Sequence, residues 1–109
     1  MTAVKFDIVR SIGSGSITGS YGTVGTPLTN NWRIIKVTNT MNADAFISVD
    51  GSTAAMVIPA GSFVLYDFGT NEPGGIGTND NMVVAKGTHF YVSASGQTSG
   101  NVYIEGVYS

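Results

Sequence analysis

The sequence predicts an all-β fold, a two-sheet antiparallel β-sandwich with a jelly roll as one form of it. Three observations lead there. No stretch places apolar residues at the spacing of a helix face, while Val, Ile, Thr, Tyr and Phe, which suit a pleated, half-buried surface, are abundant. The 15 glycines and the many asparagines fall between the apolar runs, where turns need them. The apolar runs are short, roughly eight or nine in number, at the spacing that sandwiches show.

The expected strands are, in order, Val4–Ile12, Ile17–Thr23, Trp32–Asn39, Ala45–Asp50, Ala55–Ile58, Ser62–Phe68, Met82–Ala85, His89–Ala94 and Val102–Tyr108. In the first, strict alternation puts Val4, Phe6 and Ile8 on one face and Lys5 and Asp7 on the other. The last sets Val102 and Ile104 against Tyr103 and Glu105 in the same way. "WRIIKVTN" and "SFVLYDF" carry apolar residues on both faces and read as central strands, covered on both sides. Asp50-Gly51 is a hairpin signal between "AFISV" and "AAMVI". Pro59–Gly61 reverses the chain again, and Lys86-Gly87 and Ser99-Gly100 act similarly. Two longer insertions remain, Gly25–Asn31 and Gly69–Asn81. The second, "GTNEPGGIGTNDN", has so little to bury that it is expected to be exposed and mobile.

A chain of 109 residues predicts a single domain over 1–109, with residues 11–31 as an extended arm or loop. Charged residues are 11% of the chain, against roughly a quarter in ordinary domains. The polar surface must come from Thr, Ser, Asn and Gly, which suits close contact with other protein. The net charge is −2 and the five Lys and Arg are scattered. That argues against nucleic acid or an anionic membrane as partner, since either needs clustered base. The absence of cysteine excludes disulfides and thiolate metal sites. "MTAVKFDIVR" has charges where a signal peptide has its apolar core, so synthesis and retention in the cytosol are expected.

The motifs that could carry chemistry fail one by one. In "SIGSGSITGS", Gly13, Gly15 and Gly19 resemble a dinucleotide fingerprint with one residue too many. Phosphate binding there needs a helix whose N-terminal amides face the ligand, and "ITGSYGTVGTP" cannot hold one. The segment reads as a turn or bulged strand, and as an arm that settles on a neighbour. The turn in "VIPAGSFVLYDF" is similar to the second cupin motif, but cupin chemistry needs several histidines and this chain has only His89. His89 is expected on a solvent or interface face. No nucleophile elbow precedes a helix. The acids Asp7, Asp44, Asp50, Asp67, Glu72, Asp80 and Glu105 are dispersed, and Asp44 and Asp50 read as turn formers. A calcium site from Glu72, Asn79 and Asp80 lacks the order of an EF-hand. No catalytic, metal-binding or cofactor residue is assigned. Among the aromatics, Phe6, Phe46, Phe63, Phe68 and Phe90 are expected in the core. Trp32, Tyr21, Tyr66, Tyr91, Tyr103 and Tyr108 suit protein interfaces or sugar platforms.

The series "RIIKVTNT", "DAFISVDG", "IPAGSFVLYDF", "VVAKGTHFYV" and "GNVYIEGVY" resembles small all-β structural proteins of tailed-phage virions over Arg33 to Tyr108, with Gly69–Asn81 as the variable part. The resemblance implies a non-enzymatic particle component that decorates or cements the capsid or adapts the neck or tail. It implies other virion proteins as partners, made in the host cytoplasm and found in the virion. Homo-oligomers are expected, because exposed strand edges pair and glycine-rich segments order on contact. The candidate interface residues are Tyr21, Trp32, Gly74, Gly75, Tyr91, Tyr103 and Tyr108. A carbohydrate-binding module using Trp32 and the tyrosines is the alternative.

Overall fold

The computed structural model describes residues 5–67 and 84–108. The strands are β1 Lys5–Phe6, β2 Arg10–Gly13, β3 Gly22–Val24, β4 Ile34–Asn39, β5 Ala45–Ser48, β6 Ala54–Ile58, β7 Phe63–Asp67, β8 Phe90–Ser93 and β9 Asn101–Tyr108. They form two antiparallel sheets packed as a sandwich. The first runs β1-β9-β4-β7, with β2 also on β9, and the second runs β3-β8-β5-β6. The pairing is nested: β5 with β6, β4 with β7, β3 with β8, β2 with β9. One long hairpin is thus wound into two layers, and the pairs β4–β9 and β5–β8 close it.

The core lies between the layers. β4 turns Ile35 and Val37 inward, β9 Val102 and Ile104, and β5 and β8 supply Ala45, Ile47, Phe90 and Val92, all buried. Trp32 precedes β4 in an isolated bridge to Val84 and is wholly enclosed. Its ring stacks on Phe90 with centroids 6.1 Å apart. It lies directly beneath Gly106 of β9, where any Cβ would run into the indole. Buried Asn39 ties three connections together. Its Nδ2 donates to the carbonyls of Ala43, Ile58 and Pro59, while its Oδ1 accepts from the Met41 amide.

The expected first strand is in fact two. From partner pair Phe6↔Val107 to pair Arg10↔Ile104 the N-terminal segment advances from 6 to 10, whereas β9 moves only from 107 to 104. That single extra residue reverses which side chains face inward. Phe6 and Ile8, expected on the buried face, are 84% and 66% exposed, while Asp7 and Arg10 turn into the sandwich. Residues 11–31, expected as an extended arm or loop, lie against the sheets as short strands and connections. Ser11–Gly13 pair with β9, Ser14–Ser16 form a 3-10 turn, and Ile17, Val24 and Leu28 are buried. Gln97 donates to the carbonyls of Ser14 and Ile17 and holds this segment down. β4 is central as expected, but β7 is an edge strand. Phe63 and Leu65 point away from the core, 58% and 56% exposed. Of the phenylalanines expected inside, only Phe90 is buried among those described; Phe6, Phe46 and Phe63 are exposed and Phe68 lies outside the described residues.

Candidate interaction surface

The outer face of the first sheet is built by alternation. Phe6 comes from β1, Tyr103, Glu105 and Val107 from β9, Ile34, Lys36 and Thr38 from β4, and Phe63, Leu65 and Asp67 from β7. Register sets Ile34 beside Val107, Lys36 beside Glu105 and Thr38 beside Tyr103. A groove of about 230 Å³ opens on this face, lined mainly by Phe6, Val9, Ile34, Lys36, Leu65 and Glu105. The Lys36 ammonium sits 4.9 Å from the Phe63 ring centre. The Asn101 amide donates to the Tyr103 hydroxyl at 2.8 Å along the same strand. Phe6, Phe63 and Leu65 are largely exposed on this face, around the central Lys36 and Glu105, and exposed apolar side chains grouped in this way mark an interaction site.

Beneath this face lies a polar knot that the sequence pattern did not disclose. Arg10, 4% exposed, donates from Nε to the Thr26 carbonyl at 2.7 Å, and from its terminal nitrogens to the carbonyls of Ile8 and Pro27 at 3.2 Å each. Its guanidinium lies 5.4 Å from the Trp32 ring centre and 3.8 Å from Asp7 Oδ2. The Trp32 indole donates to the same Asp7 oxygen at 2.7 Å. Burial pushes the Asp7 carboxyl up, but the Trp32 indole, the Ile8 amide, Arg10 and Asn30 together outweigh it, so the group titrates below its ordinary value. The arrangement fastens the N-terminal strands to the 25–31 connection. It presents no reactive group to solvent.

Two other concavities are apolar or shallow. A slot of about 290 Å³ opens between the layers beside Ile35, Met56, Tyr66 and Phe90. A wider cleft of about 530 Å³ lies beside His89 and Tyr91, whose rings are 5.3 Å apart. His89 Nε2 is within 2.9 Å of the Gly25 carbonyl. Among the described residues no three His, Cys, Asp or Glu side chains come together as a metal site. Glu72, Asn79 and Asp80 lie outside the described residues.

The sequence-predicted interface residues do not converge. Trp32 is a core residue with no exposed surface, and it is corrected as such: the ring's size and its need for one acceptor are both met inside. Tyr21, Tyr91, Tyr103 and Tyr108 are half-buried, and only Tyr103 lies on the outer face of the first sheet. Gly74 and Gly75 lie outside the described residues. The residues that do converge, Phe6, Phe63 and Leu65, were expected in the core or under cover. For Phe63 and Leu65 the signal was present in the two-sided apolar pattern of "SFVLYDF", which fits a strand covered from outside the chain as well as one covered within it.

No protein-family model and no curated protein matches the chain. Among solved structures it is similar to the Dit (gp 19.1) protein of phage SPP1, described as a paradigm of the hub adsorption apparatus in phages that infect Gram-positive bacteria. The two share 11% identity over 97% of this chain and 49% of that one, at a TM-score of 0.43. The chain therefore spans about half the length of that structure. A likeness at this distance carries no weight for function.

Proposed function

We propose that the chain is a non-enzymatic structural protein of a tailed-phage virion. It binds other virion proteins on the capsid, as decoration or cement, or in the neck or tail, as an adaptor. The observation that carries the reading is the apolar outer face of the first sheet, which adds to the resemblance of five sequence segments. Phe6, Phe63 and Leu65 stay largely in water in the isolated chain, and their burial against a partner supplies the driving force for assembly. The outer edges of β7 and β6, each last in its sheet among the described residues, add backbone hydrogen bonds to a neighbour. The nested strand order supports reading the sandwich as a jelly roll, an architecture that viral capsid and lectin domains share; by itself it does not fix a role. The carbohydrate alternative loses its central ring, because Trp32 is enclosed.

The test is the copy number of the chain in purified particles from its source, measured by quantitative mass spectrometry against the major capsid protein. A count on the scale of that protein fits decoration or cement, and a small fixed count fits one ring of the neck or tail. Absence from particles overturns the proposal.

A further inference from the structure

We infer that β7 is a docking edge for an extended segment of another protein. The segment adds to the first sheet as an antiparallel strand, with an acidic residue opposite Phe63 and an apolar one opposite Leu65. The backbone sets this register. The Asn39 amide donates to the Ser62 carbonyl at 2.8 Å, one step beyond the partners Thr38↔Phe63, so Asn39 and Ser62 are a hydrogen-bonded pair. Such pairs alternate along an antiparallel ladder. Val64 and Tyr66 therefore bond to β4, whereas Phe63 and Leu65 aim their N–H and C=O groups away from it. The far side of β4 agrees. The Thr40 amide donates to the Asn101 carbonyl, which turns the even-numbered residues of β4 toward β9 and the odd-numbered ones toward β7.

Natural edges are blunted by lysine, proline or a bulge. Phe63–Asp67 contains neither residue and pairs with β4 without a register shift, whereas β6 pairs across a shift and runs into Pro59. Phe63 and Leu65 on one face of β7 and Tyr66 on the other are exposed, a pattern that suits a strand with neighbours on both sides. Charge selects the occupant. The outer face carries Lys36, Glu105 and Asp67. Glu105 stands on β9, two strands in from the edge. The Lys36 ammonium reaches over the Phe63 ring, 4.9 Å from its centre, and sets a cation at one end of β7, while Asp67 sets an anion at the other. An antiparallel strand matches both when it carries a basic, an apolar and an acidic residue at alternate positions, opposite Asp67, Leu65 and Phe63 in turn. Main-chain bonds then supply affinity and the alternate side chains supply specificity. The inference rests on the proposed function only in taking another protein as the partner. Peptide binding by a chain absent from particles would sink that reading alone, and a particle protein that ignores the peptide would sink this inference alone.

The test is a nuclear magnetic resonance titration of the isotope-labelled full chain with the synthetic peptide Thr-Lys-Val-Leu-Val-Glu-Thr, capped at both ends, up to roughly 1 mM. In the free chain the Phe63 and Leu65 amides should exchange with solvent faster than the Val64 amide. Bound peptide should slow both, with a dissociation constant on the order of 100 μM. Lys36→Glu should weaken binding roughly fivefold or more, and should favour instead a peptide with Lys in place of Glu. Leu65→Pro should keep the fold, because an edge strand accepts proline where the N–H faces outward, and should abolish binding. Phe63 and Leu65 amides already slow in the dilute free chain would mean a covered edge and overturn the inference. So would the absence of shifts at β7 up to the highest peptide concentration, or binding indifferent to both variants. Protection of the two amides that grows with protein concentration alone would assign the edge to a second copy and overturn the partner proposed.

Discussion

At the residue scale, Arg10 shows how one buried charge can hold a fold together. Its ion pair with Asp7, at 3.8 Å, is long, while its contact with the Thr26 carbonyl, at 2.7 Å, is short. The carbonyl bonds therefore matter more, since hydrogen bonds to a charged donor are each worth about 1.5–3 kcal/mol. Arg10→Ala should cost about 3–5 kcal/mol, because it leaves the Thr26 and Pro27 carbonyls without their donor and Asp7 without its cation in a buried setting. Arg10→Lys should recover little of that, since an ammonium cannot spread its donors as the planar fork does. Equilibrium denaturation measures both; a loss below about 1 kcal/mol in Arg10→Ala would show the knot to be incidental. Sequence reading missed the knot because the extra residue between β1 and β2 is invisible to a count of two, and because Asp7 and Trp32 are far apart in the chain. Gly106 was equally silent: nothing in "VYIEGVY" says that an indole passes beneath the glycine.

At the scale of elements, the strands were largely legible and their environments less so. The last strand alternates as read, and "AFISV" and "AAMVI" do pair as a hairpin. The turn between them is where the Asp50-Gly51 signal placed it. Asp50 Oδ1 accepts from the Ser52 and Thr53 amides at 2.8 and 2.9 Å and from the Ser48 hydroxyl at 2.9 Å. These bonds, the Ser52 amide foremost, lower its pKa from 3.8 to about 2. A carboxyl whose folded pKa is depressed stabilises the fold above its unfolded pKa, and that contribution is lost as pH falls through the folded value. The melting temperature should therefore drop as pH falls from about 4 to about 2, with Asp7 contributing in the same direction. Asp50→Ala should lower the melting temperature at neutral pH and flatten that acid-side fall. A variant that keeps the full acid dependence would remove the turn carboxylate from the explanation. Where strand reading went wrong, at β7, the cause was physical. Two-sided apolarity reports that both faces are covered, without saying whether the cover is the same chain.

At the scale of the whole molecule, the nested pairing makes a prediction about folding rate. β2 and β9 must meet although nearly the whole chain separates Arg10 from its partner Ile104. The closing pair β4–β9 likewise joins Val37 to Ile104. The hairpin of β5 and β6 is the local step; every other nested pair waits on closing a longer loop, whose entropy is lost before its contacts form. Trp32 is a built-in reporter. It is the single tryptophan of the chain, stacked on Phe90 of β8 beneath Gly106 of β9, and bonded to Asp7. Its fluorescence changes only when strands from both sheets and the N-terminal segment have come together. Stopped-flow refolding followed at Trp32 should fall in the range of milliseconds to seconds usual for sandwiches of non-local pairing. Ala55→Gly in the β6 edge should slow this signal more than it speeds unfolding, because the hairpin it weakens forms before the longer loops close. Full recovery of the Trp32 signal within microseconds would mean that the indole finds its site before the sheets close, and the nested order would then not govern the pathway.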